Sequence, residues 1–244
     1  MKSHLRLTCG ATALAGLCLW AAATAAPPEL PKDTAKAAAA ADVAELQKKL
    51  DLIAANPEKT KGAVRTAKGL VLTLGVYGDE ATQGQAAKVL LALDKKDYKG
   101  AVEAGKGLSS PKADPAALKA IQGKFDLEDV MSQFRPTKSG GNNIEKDLRD
   151  GIKSGSVEPK AAELMGARSA ALAGYTEKMP NDKAKTSPDT TKKWERWAKE
   201  MGKASTDLAE EGAKGPKSDT KKLVSLMKKL DASCSNCHND FRNE

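Results

Sequence analysis

The chain has 244 residues, with 40 Lys and Arg against 32 Asp and Glu and a formal net charge of +8. Apolar residues make up 40% of the sequence and aromatic residues only 4%, so the core must consist mainly of Leu, Ala, Val and Ile. Because Ala, Leu, Lys and Glu dominate and no alternating Val, Ile and Thr pattern is present, an all-α fold is predicted. No basic cluster is interleaved with aromatic residues, which argues against nucleic acid as a partner.

The N-terminus has the layout of a secretory signal peptide, predicted at residues 1–25. Lys2 and Arg6 precede an apolar run, and small residues follow it up to the expected cleavage site after Ala25. An uncleaved membrane anchor is the alternative, but the run is short and is followed by two prolines. We therefore expect a periplasmic or otherwise extracytoplasmic protein without stable membrane insertion after cleavage, beginning with a Pro- and Ala-rich leader at 26–40.

Breaks in the helical pattern divide the rest of the chain into two halves of four helices each. A Gly-, Ser- and Asn-rich linker at 136–143 has no apolar face to bury and separates a domain at 41–135 from a domain at 144–244. Short connections favour antiparallel packing, so two tandem antiparallel four-helix bundles are predicted. The expected helices are near 41–55, 57–77, 80–107 with an interruption around Asp94, 113–134, 142–154, 158–178, 188–213 and 218–242.

The two halves also share an internal repeat. AVEAGKG at 101–107 resembles AEEGAKG at 209–215, and the helix that follows in each half ends in Phe-Arg, at 134–135 and at 241–242. This pattern is typical of a duplicated helical unit. The alternative is that Ala- and Lys-rich helices resemble one another through composition alone.

The residues with distinctive chemistry are concentrated in the C-terminal segment CSNCH. Once the signal peptide at 1–25 is removed, Cys234 and Cys237 are the only cysteines and His238 is the only histidine of the mature chain. In a helix the two thiols are about 4.5 Å apart along the axis and lie on nearly the same side. That arrangement suits two thioether bonds to one porphyrin, with the histidine as the proximal ligand of its iron.

Four other interpretations of CSNCH compete with haem attachment. A structural zinc ion needs four ligands, so two carboxylates would have to complete the site. A dithiol redox site is usually found in a thioredoxin-like α/β pattern, which the sequence lacks. A disulfide between positions three apart in one helical turn would strain the backbone. The last interpretation is chance, and an exported chain whose only thiols occur in this order favours haem over it.

The C-terminal pattern Cys-x-x-Cys-His-x-x-Phe-Arg resembles the class II c-type cytochromes, the cytochrome c prime family. It consists here of Cys234, Cys237, His238, Phe241 and Arg242, and the resemblance covers the second half specifically. It implies a four-helix bundle with one covalent haem c, an extracytoplasmic location, and either electron transfer or binding of a diatomic gas. The first half matches this family only through the internal repeat.

The first half departs from the motif at every chemical position. Leu127, Val130 and Met131 stand where the second half has its two cysteines and its histidine. Covalent haem is therefore not expected in the first half, which is interpreted as a haem-free sister bundle for docking or packing. Met131 as a ligand of a non-covalent haem is the alternative, but a Met at helical spacing is far more often part of a core.

The residue opposite the proximal histidine decides between an electron carrier and a gas-binding protein. In the resembling family the distal residue comes from the first helix, where this chain has Ile144 and Leu148. Such an apolar face would leave the iron five-coordinate and open to carbon monoxide or nitric oxide, an interpretation that is slightly favoured. Met179 or Met201 could instead close the site as the sixth ligand, and Met165 could do so if the helix order differs.

Three further side chains are candidates for the porphyrin environment. Trp194 and Trp197 could pack on the macrocycle, although ordinary core or interface packing explains them equally well. Arg242 could screen a haem propionate or the proximal histidine, or it could simply be solvated. These residues do not change the main interpretation, which depends on the two thiols and the imidazole.

The sequence therefore predicts an exported one-electron carrier with one covalent haem, and not a substrate-turnover enzyme. Its expected partner is a redox protein, acidic if the basic charge of the chain contributes to docking. A five-coordinate protein that binds or senses a diatomic gas is the first alternative. A non-catalytic helical interaction module is the second, and a homodimer is compatible with each of these.

Overall fold

The computed structural model describes residues 29–57, 60–120 and 123–242 of the chain. Ten α-helices and several single 3-10 turns form the regular structure of this part, which contains no β-strand. The predicted all-α class is therefore confirmed. None of the helices in these ranges has both the length and the apolar character needed to cross a membrane. The predicted signal peptide at 1–25 lies outside the described residues.

The first half has six helices in its described part, where the sequence predicts four. They are α1 (Lys32–Ala55), α2 (Lys61–Tyr77), α3 (Glu80–Asp94), α4 (Tyr98–Lys106), α5 (Pro115–Ala120) and α6 (Leu127–Ser132). The expected interruption near Asp94 is confirmed. Lys96 adopts a positive φ of 58°, and the side chain of Asp97 then caps α4 by accepting the amide hydrogen of Gly100.

The helix predicted at 41–55 begins earlier than expected. Helix α1 starts at Lys32, so the segment predicted as a Pro- and Ala-rich leader, 26–40, is helical from that residue onward. Thr34 and Ala38 are each only 2% exposed, which shows that this first part of α1 is packed against the rest of the molecule. The run of alanines explains the extension, because alanine is the strongest helix former.

The prediction of a single helix at 113–134 is wrong, because the structure has two short helices, α5 and α6, in its place. Gly123 adopts a φ of 73°, a left-handed conformation that does not continue an α-helix. Asp126 then starts α6 with a reciprocal capping box, in which its side chain and that of Asp129 each accept the other residue's amide hydrogen. The turn and the capping box together divide the segment.

The second half consists of four helices whose ends agree with the predicted ranges to within two residues. They are α7 (Ile144–Ser154), α8 (Pro159–Lys178), α9 (Pro188–Ala213) and α10 (Thr220–Phe241). Local signals explain the agreement: Ser187 forms a capping box with Thr190 before α9, and Asp219 caps α10 by accepting the amide hydrogens of Lys221 and Lys222.

Within the second half, α8 packs on α9, and α10 packs on both α9 and α7. The contact between α8 and α9 is close because small residues line it. A Cβ atom added at Gly166 would lie 2.5 Å from the backbone nitrogen of Ala209. These pairings bring the C-terminal end of α10 against α7 and α9.

The two halves are packed against each other, with α1, α2 and α6 in contact with α8. Leu72 and Val130 of the first half are fully buried in one apolar cluster with Leu172 and Leu230 of the second half. In the segment predicted as a linker, 136–143, the residues at 140–142 are buried. The backbone amide of Asn142 donates to the backbone carbonyl oxygen of Gln133 at 2.8 Å. The segment that connects the two halves is therefore packed against the rest of the protein.

A buried polar network also joins the halves. Asp42 of α1 is 0% exposed, and Arg168 of α8 donates to its Oδ1 from Nε at 2.8 Å and from Nη2 at 2.6 Å. The other carboxylate oxygen accepts hydrogen bonds from the hydroxyls of Thr73, at 2.5 Å, and Tyr77. Burial, together with the charge of Asp42, raises the pKa of Tyr77 well above its usual value, so this phenol remains a hydrogen-bond donor.

Glu211 connects the end of α9 to the start of α10. Its carboxylate accepts from the Nζ atoms of Lys214 and Lys222, each at 2.7 Å, and from the amide of Asp219 at 3.0 Å. These hydrogen bonds lower the pKa of Glu211 from 4.5 to about 2. Because the unfolded chain takes up this proton at higher pH, the stabilisation is complete above pH 4.5 and is lost as the pH falls toward 2.

We expect Glu211→Gln to lower the melting temperature at pH 7 by about 2–4 °C for each kcal/mol lost. The difference from the parent chain should shrink as the pH is lowered through 4.5 toward 2. Thermal unfolding followed by circular dichroism at several pH values measures it. Glu210→Gln, at the exposed neighbouring position, is the control and should have little effect at any pH. A difference for Glu211→Gln that is independent of pH would contradict the proposed charge dependence.

Candidate functional site

Helix α10 carries CSNCH in its last turns, on a stripe that faces the interior. The members of this stripe that are at most 3% exposed are Leu223, Met227, Leu230 and Phe241. Cys234 and Cys237 continue the stripe at helical spacing with partly buried side chains. The helix therefore presents both thiols to the core of the second half.

Cys234 faces the main apolar cluster of the second half. This cluster includes Leu148 of α7, Met201 of α9 and Leu230 of α10, and Cys234 packs against it. The Cys234 Sγ atom lies 3.9 Å from the Sδ atom of Met201. Burial raises the pKa of the Cys234 thiol to about 12, so the thiol is protonated at neutral pH.

Cys237, one turn later, packs against a different cluster that is rich in aromatic residues. Ala184, Trp194 and Phe241 form this cluster, and Trp197 also packs against it. The Trp194 and Phe241 rings meet edge to face, with their centroids 5.3 Å apart and an interplanar angle of 72°. Burial raises the pKa of the Cys237 thiol to about 11. Two thiols one turn apart thus face two apolar clusters.

The raised pKa values of the two thiols disfavour one of the competing interpretations of CSNCH, the dithiol redox site. Both thiols are free, and neither has the lowered pKa that a reactive dithiol requires. Within residues 29–57, 60–120 and 123–242, no group of three or more His, Cys, Asp or Glu side chains could hold a metal ion.

His238 follows Cys237 directly, and its side chain is largely exposed. Partial desolvation lowers the pKa of its imidazole, the positive charge of Arg242 lowers it further, and the carboxylate of Glu145 on α7 opposes the shift. The neutral ring is therefore the main form at neutral pH, and it is the form that binds metal ions. Arg242 itself is exposed, and its amide donates to the carbonyl oxygen of His238 at 2.9 Å.

The two tryptophans considered as candidates for packing on a porphyrin lie beside the motif. Hydrogen bonds fix both of their rings. Trp194 is 3% exposed, and its Nε1 donates to the carbonyl oxygen of Thr176 at 2.7 Å. Trp197 is half-buried, and its Nε1 donates to Oδ2 of Asp240 at 2.7 Å. Lys193 also binds Asp240, at 2.7 Å. The indole rings are thus held against the last turns of α10.

The residues considered for the sixth ligand are distributed over the same apolar cluster as Cys234. Ile144 and Leu148 of α7 are at most 3% exposed in it, and Met201 is 6% exposed. Met179, which follows α8, is partly buried against this cluster. Met165 belongs to it as well, but lies nearer the start of α8. Met201 is thus a methionine whose sulfur contacts a thiol of the motif.

Sequence reasoning missed the contribution of the first half to this site. Leu127 packs against the cluster of Ala184, Trp194 and Phe241, while Met131 and Phe134 pack against the cluster that Cys234 contacts. These three residues of the first half recur at positions i, i+4 and i+7, a spacing typical of one helix face, and Phe134 lies just past the end of α6 at Ser132. That apolar spacing is the signal that could have identified them. Asp240, which orients Trp197, had no comparable signal.

Comparison with known proteins does not assign the chain to a family. No protein-family model matches the sequence, and no match was found among curated proteins or among solved structures. The chemical interpretation of CSNCH therefore depends on the residues and the geometry described above, together with the motif itself.

Proposed function

We propose that this chain is an exported c-type haem protein that transfers single electrons. One haem c is attached through Cys234 and Cys237, and His238 is the proximal ligand of the iron. The observation that supports this most directly is the end of α10. There, two partly buried thiols one turn apart contact apolar clusters and are followed at once by the only histidine among the described residues.

The side chains around the thiols fit a porphyrin, which is a large, flat, apolar group with charged propionates. Trp194, Trp197 and Leu148 provide apolar surface that excludes water, and Arg242 provides positive charge next to the imidazole for a propionate. Cys234 and Cys237 would each supply one free thiol for a thioether bond to a vinyl group of the porphyrin. When bound, haem supplies a reversible one-electron couple that burial and nearby charge adjust.

The helix packing supports two tandem four-helix bundles, of which only the second carries haem. In the first half α1 contacts α2, α2 contacts α3, α3 contacts α4, and α4 returns to α1. In the second half α8 contacts α9, α9 contacts α10, and α10 contacts both α7 and α8. With a signal peptide at 1–25, we propose a periplasmic or otherwise extracytoplasmic location and an acidic redox partner protein.

A second candidate function, binding of a diatomic gas, is favoured by the apolar face of α7. Ile144 and Leu148 are buried in the cluster that Cys234 contacts, and neither side chain can ligate iron. If they face the iron, its sixth position stays open to carbon monoxide or nitric oxide. Met201 and Met179 belong to the same region and favour the closed site of an electron carrier.

Optical spectra of the protein, produced together with c-type haem maturation, test this proposal. We expect haem bands, and a sharp α band in the reduced state that carbon monoxide does not change if a methionine closes the site. A broad high-spin spectrum that shifts with carbon monoxide would make gas binding the function. The complete absence of haem bands would overturn the haem proposal and leave an interaction module.

Two substitutions identify the sixth ligand if the site is closed. Met201→Leu and Met179→Leu preserve apolar volume but remove the sulfur, so the variant that lacks the ligand should become high-spin and bind carbon monoxide. The other variant should keep the parent spectrum and serves as its control. Parent spectra for both variants would exclude these two methionines as ligands.

A further inference from the structure

The first half contributes apolar side chains of α6 to the two clusters that the thiols of the motif contact. Leu127 and Met131 lie one turn apart on α6, Phe134 follows two residues after its end, and Val130 of the same helix is fully buried. Helix α6 contacts α8 of the second half and α2 of its own half. It is thus placed between the two halves, with its apolar side chains in the clusters of the second half.

The two ends of this segment, 127–134, reach the two clusters that the thiols contact. Leu127, at the start of α6, packs against the same cluster of Ala184, Trp194 and Phe241 as Cys237 does. At the other end, the carbonyl oxygen of Phe134 accepts the amide hydrogen of Glu145 at 2.9 Å, which joins the segment to the start of α7. The apolar side chains of α6 and the two thiols therefore share two clusters.

Helix α6 is held in this place by its surroundings. A helix of six residues is not stable in isolation, so its conformation depends on its cap and on its packing. Gln133, which follows it, is 1% exposed, and its carbonyl oxygen accepts the amide hydrogen of Asn142. The ion pair between Asp42 and Arg168 fixes the first half against α8 independently of α6. Local opening of α6 is consequently separable from dissociation of the halves.

We propose that α6 covers the Cys237 side of the motif, and that Leu127 determines how readily small molecules reach the Cys237 thiol and an iron bound beside it. The haem-free half then has a definite role, because it supplies one wall of a site whose reactive groups belong to the other half. The part that concerns iron rests on the proposed function. The part that concerns the thiol does not, because the cover is built from protein side chains alone.

Thiol labelling of the haem-free chain tests the cover without any haem. In a Cys234→Ser background, the rate of alkylation of Cys237 by iodoacetamide is followed by mass spectrometry of the peptide that contains it. We expect Leu127→Ala to raise this rate roughly fivefold, which corresponds to a decrease of about 1 kcal/mol in the free energy of local opening. Leu127→Met, which preserves volume, should label at the parent rate, and Leu127→Val should lie between.

Leu91→Ala is the matched control, because Leu91 is also partly buried in the first half but packs against the other apolar cluster, away from CSNCH. Circular dichroism establishes that each variant is folded. If Leu127→Ala does not fold, the labelling rate of the Leu127→Val variant is compared with the parent rate instead. Equal labelling rates in the Leu127 series and the parent would overturn the inference. So would an equal increase for Leu91→Ala, since general loosening would then explain the result.

A second measurement uses the haem-loaded protein. Carbon monoxide is released from the reduced protein by a light pulse, and its rebinding rate is compared between the parent and Leu127→Ala. We expect roughly a fivefold faster rate with an unchanged reduced spectrum, because the substitution opens the path without altering a ligand. An unchanged rate of carbon monoxide rebinding would show that Leu127 limits access to the thiol but not to the iron. A protein that carries no haem would refute the proposed function, while the labelling result would still decide the inference.

Discussion

Replacing Arg168 with methionine is expected to lower the free energy of unfolding by about 3–5 kcal/mol. The guanidinium of Arg168 binds Oδ1 of Asp42 at 2.6 and 2.8 Å, and the Asp42 side chain is completely buried. Methionine fills much of the same volume but leaves the buried carboxylate without its counter-charge. Among the described residues, the hydroxyls of Thr73 and Tyr77 are then the donors that remain to it. Guanidinium unfolding followed by circular dichroism measures the loss.

Arg149→Met is the matched control for this prediction. Arg149 binds Glu145 at the same distance of 2.6 Å, but the two side chains are 69% and 42% exposed. Exposed pairs of this kind contribute about 0–1 kcal/mol, so the control should be nearly neutral. Adding Asp42→Asn to Arg168→Met should recover part of the loss, because no charge is then left buried. Equal losses for Arg168→Met and Arg149→Met would show that the buried pair does not stabilise the junction.

The helices of the second half could be predicted because each signal is local. Ser187 and Asp219 cap helices within three residues of their own positions, and Pro159 and Pro188 occupy first helical positions. In the first half the decisive features are less local. Helix α1 starts without a side-chain cap, and the break before α6 depends on the left-handed conformation of Gly123. Composition and periodicity do not determine such ends.

The same distinction between local and long-range features applies to the candidate site. Cys234, Cys237 and His238 could be recognised from the sequence because a single helical turn brings them together. The apolar spacing of Leu127 and Met131 predicts a buried helix face, but its position against Trp194 and Phe241 could not be predicted, since that depends on how the halves pack. The ion pair between Asp42 and Arg168 is a clearer example. These residues are 126 positions apart, and nothing in either local sequence indicates that they meet.

The largest functional effect is expected at the two thiols. Cys234→Ser together with Cys237→Ser should abolish covalent haem completely, because no other cysteine of the described residues can form a thioether. Haem staining after denaturing electrophoresis, together with the mass of the intact chain, measures the attachment. His238→Ala should alter the spectrum of any haem that is attached, because the remaining described residues include no second histidine.

Two controls separate this chemistry from packing. Asn236→Ala changes an exposed residue between the thiols and should leave haem attachment intact. Met131→Leu changes the first-half residue that corresponds to His238 in the repeat, and it should also retain covalent haem, because the first half has no thiol to attach it. Haem that survives denaturation in the chain without both thiols would place the attachment elsewhere. If only the thiol variants lose it, both bonds to the porphyrin belong to the last turns of α10, and the first half acts on haem only through packing.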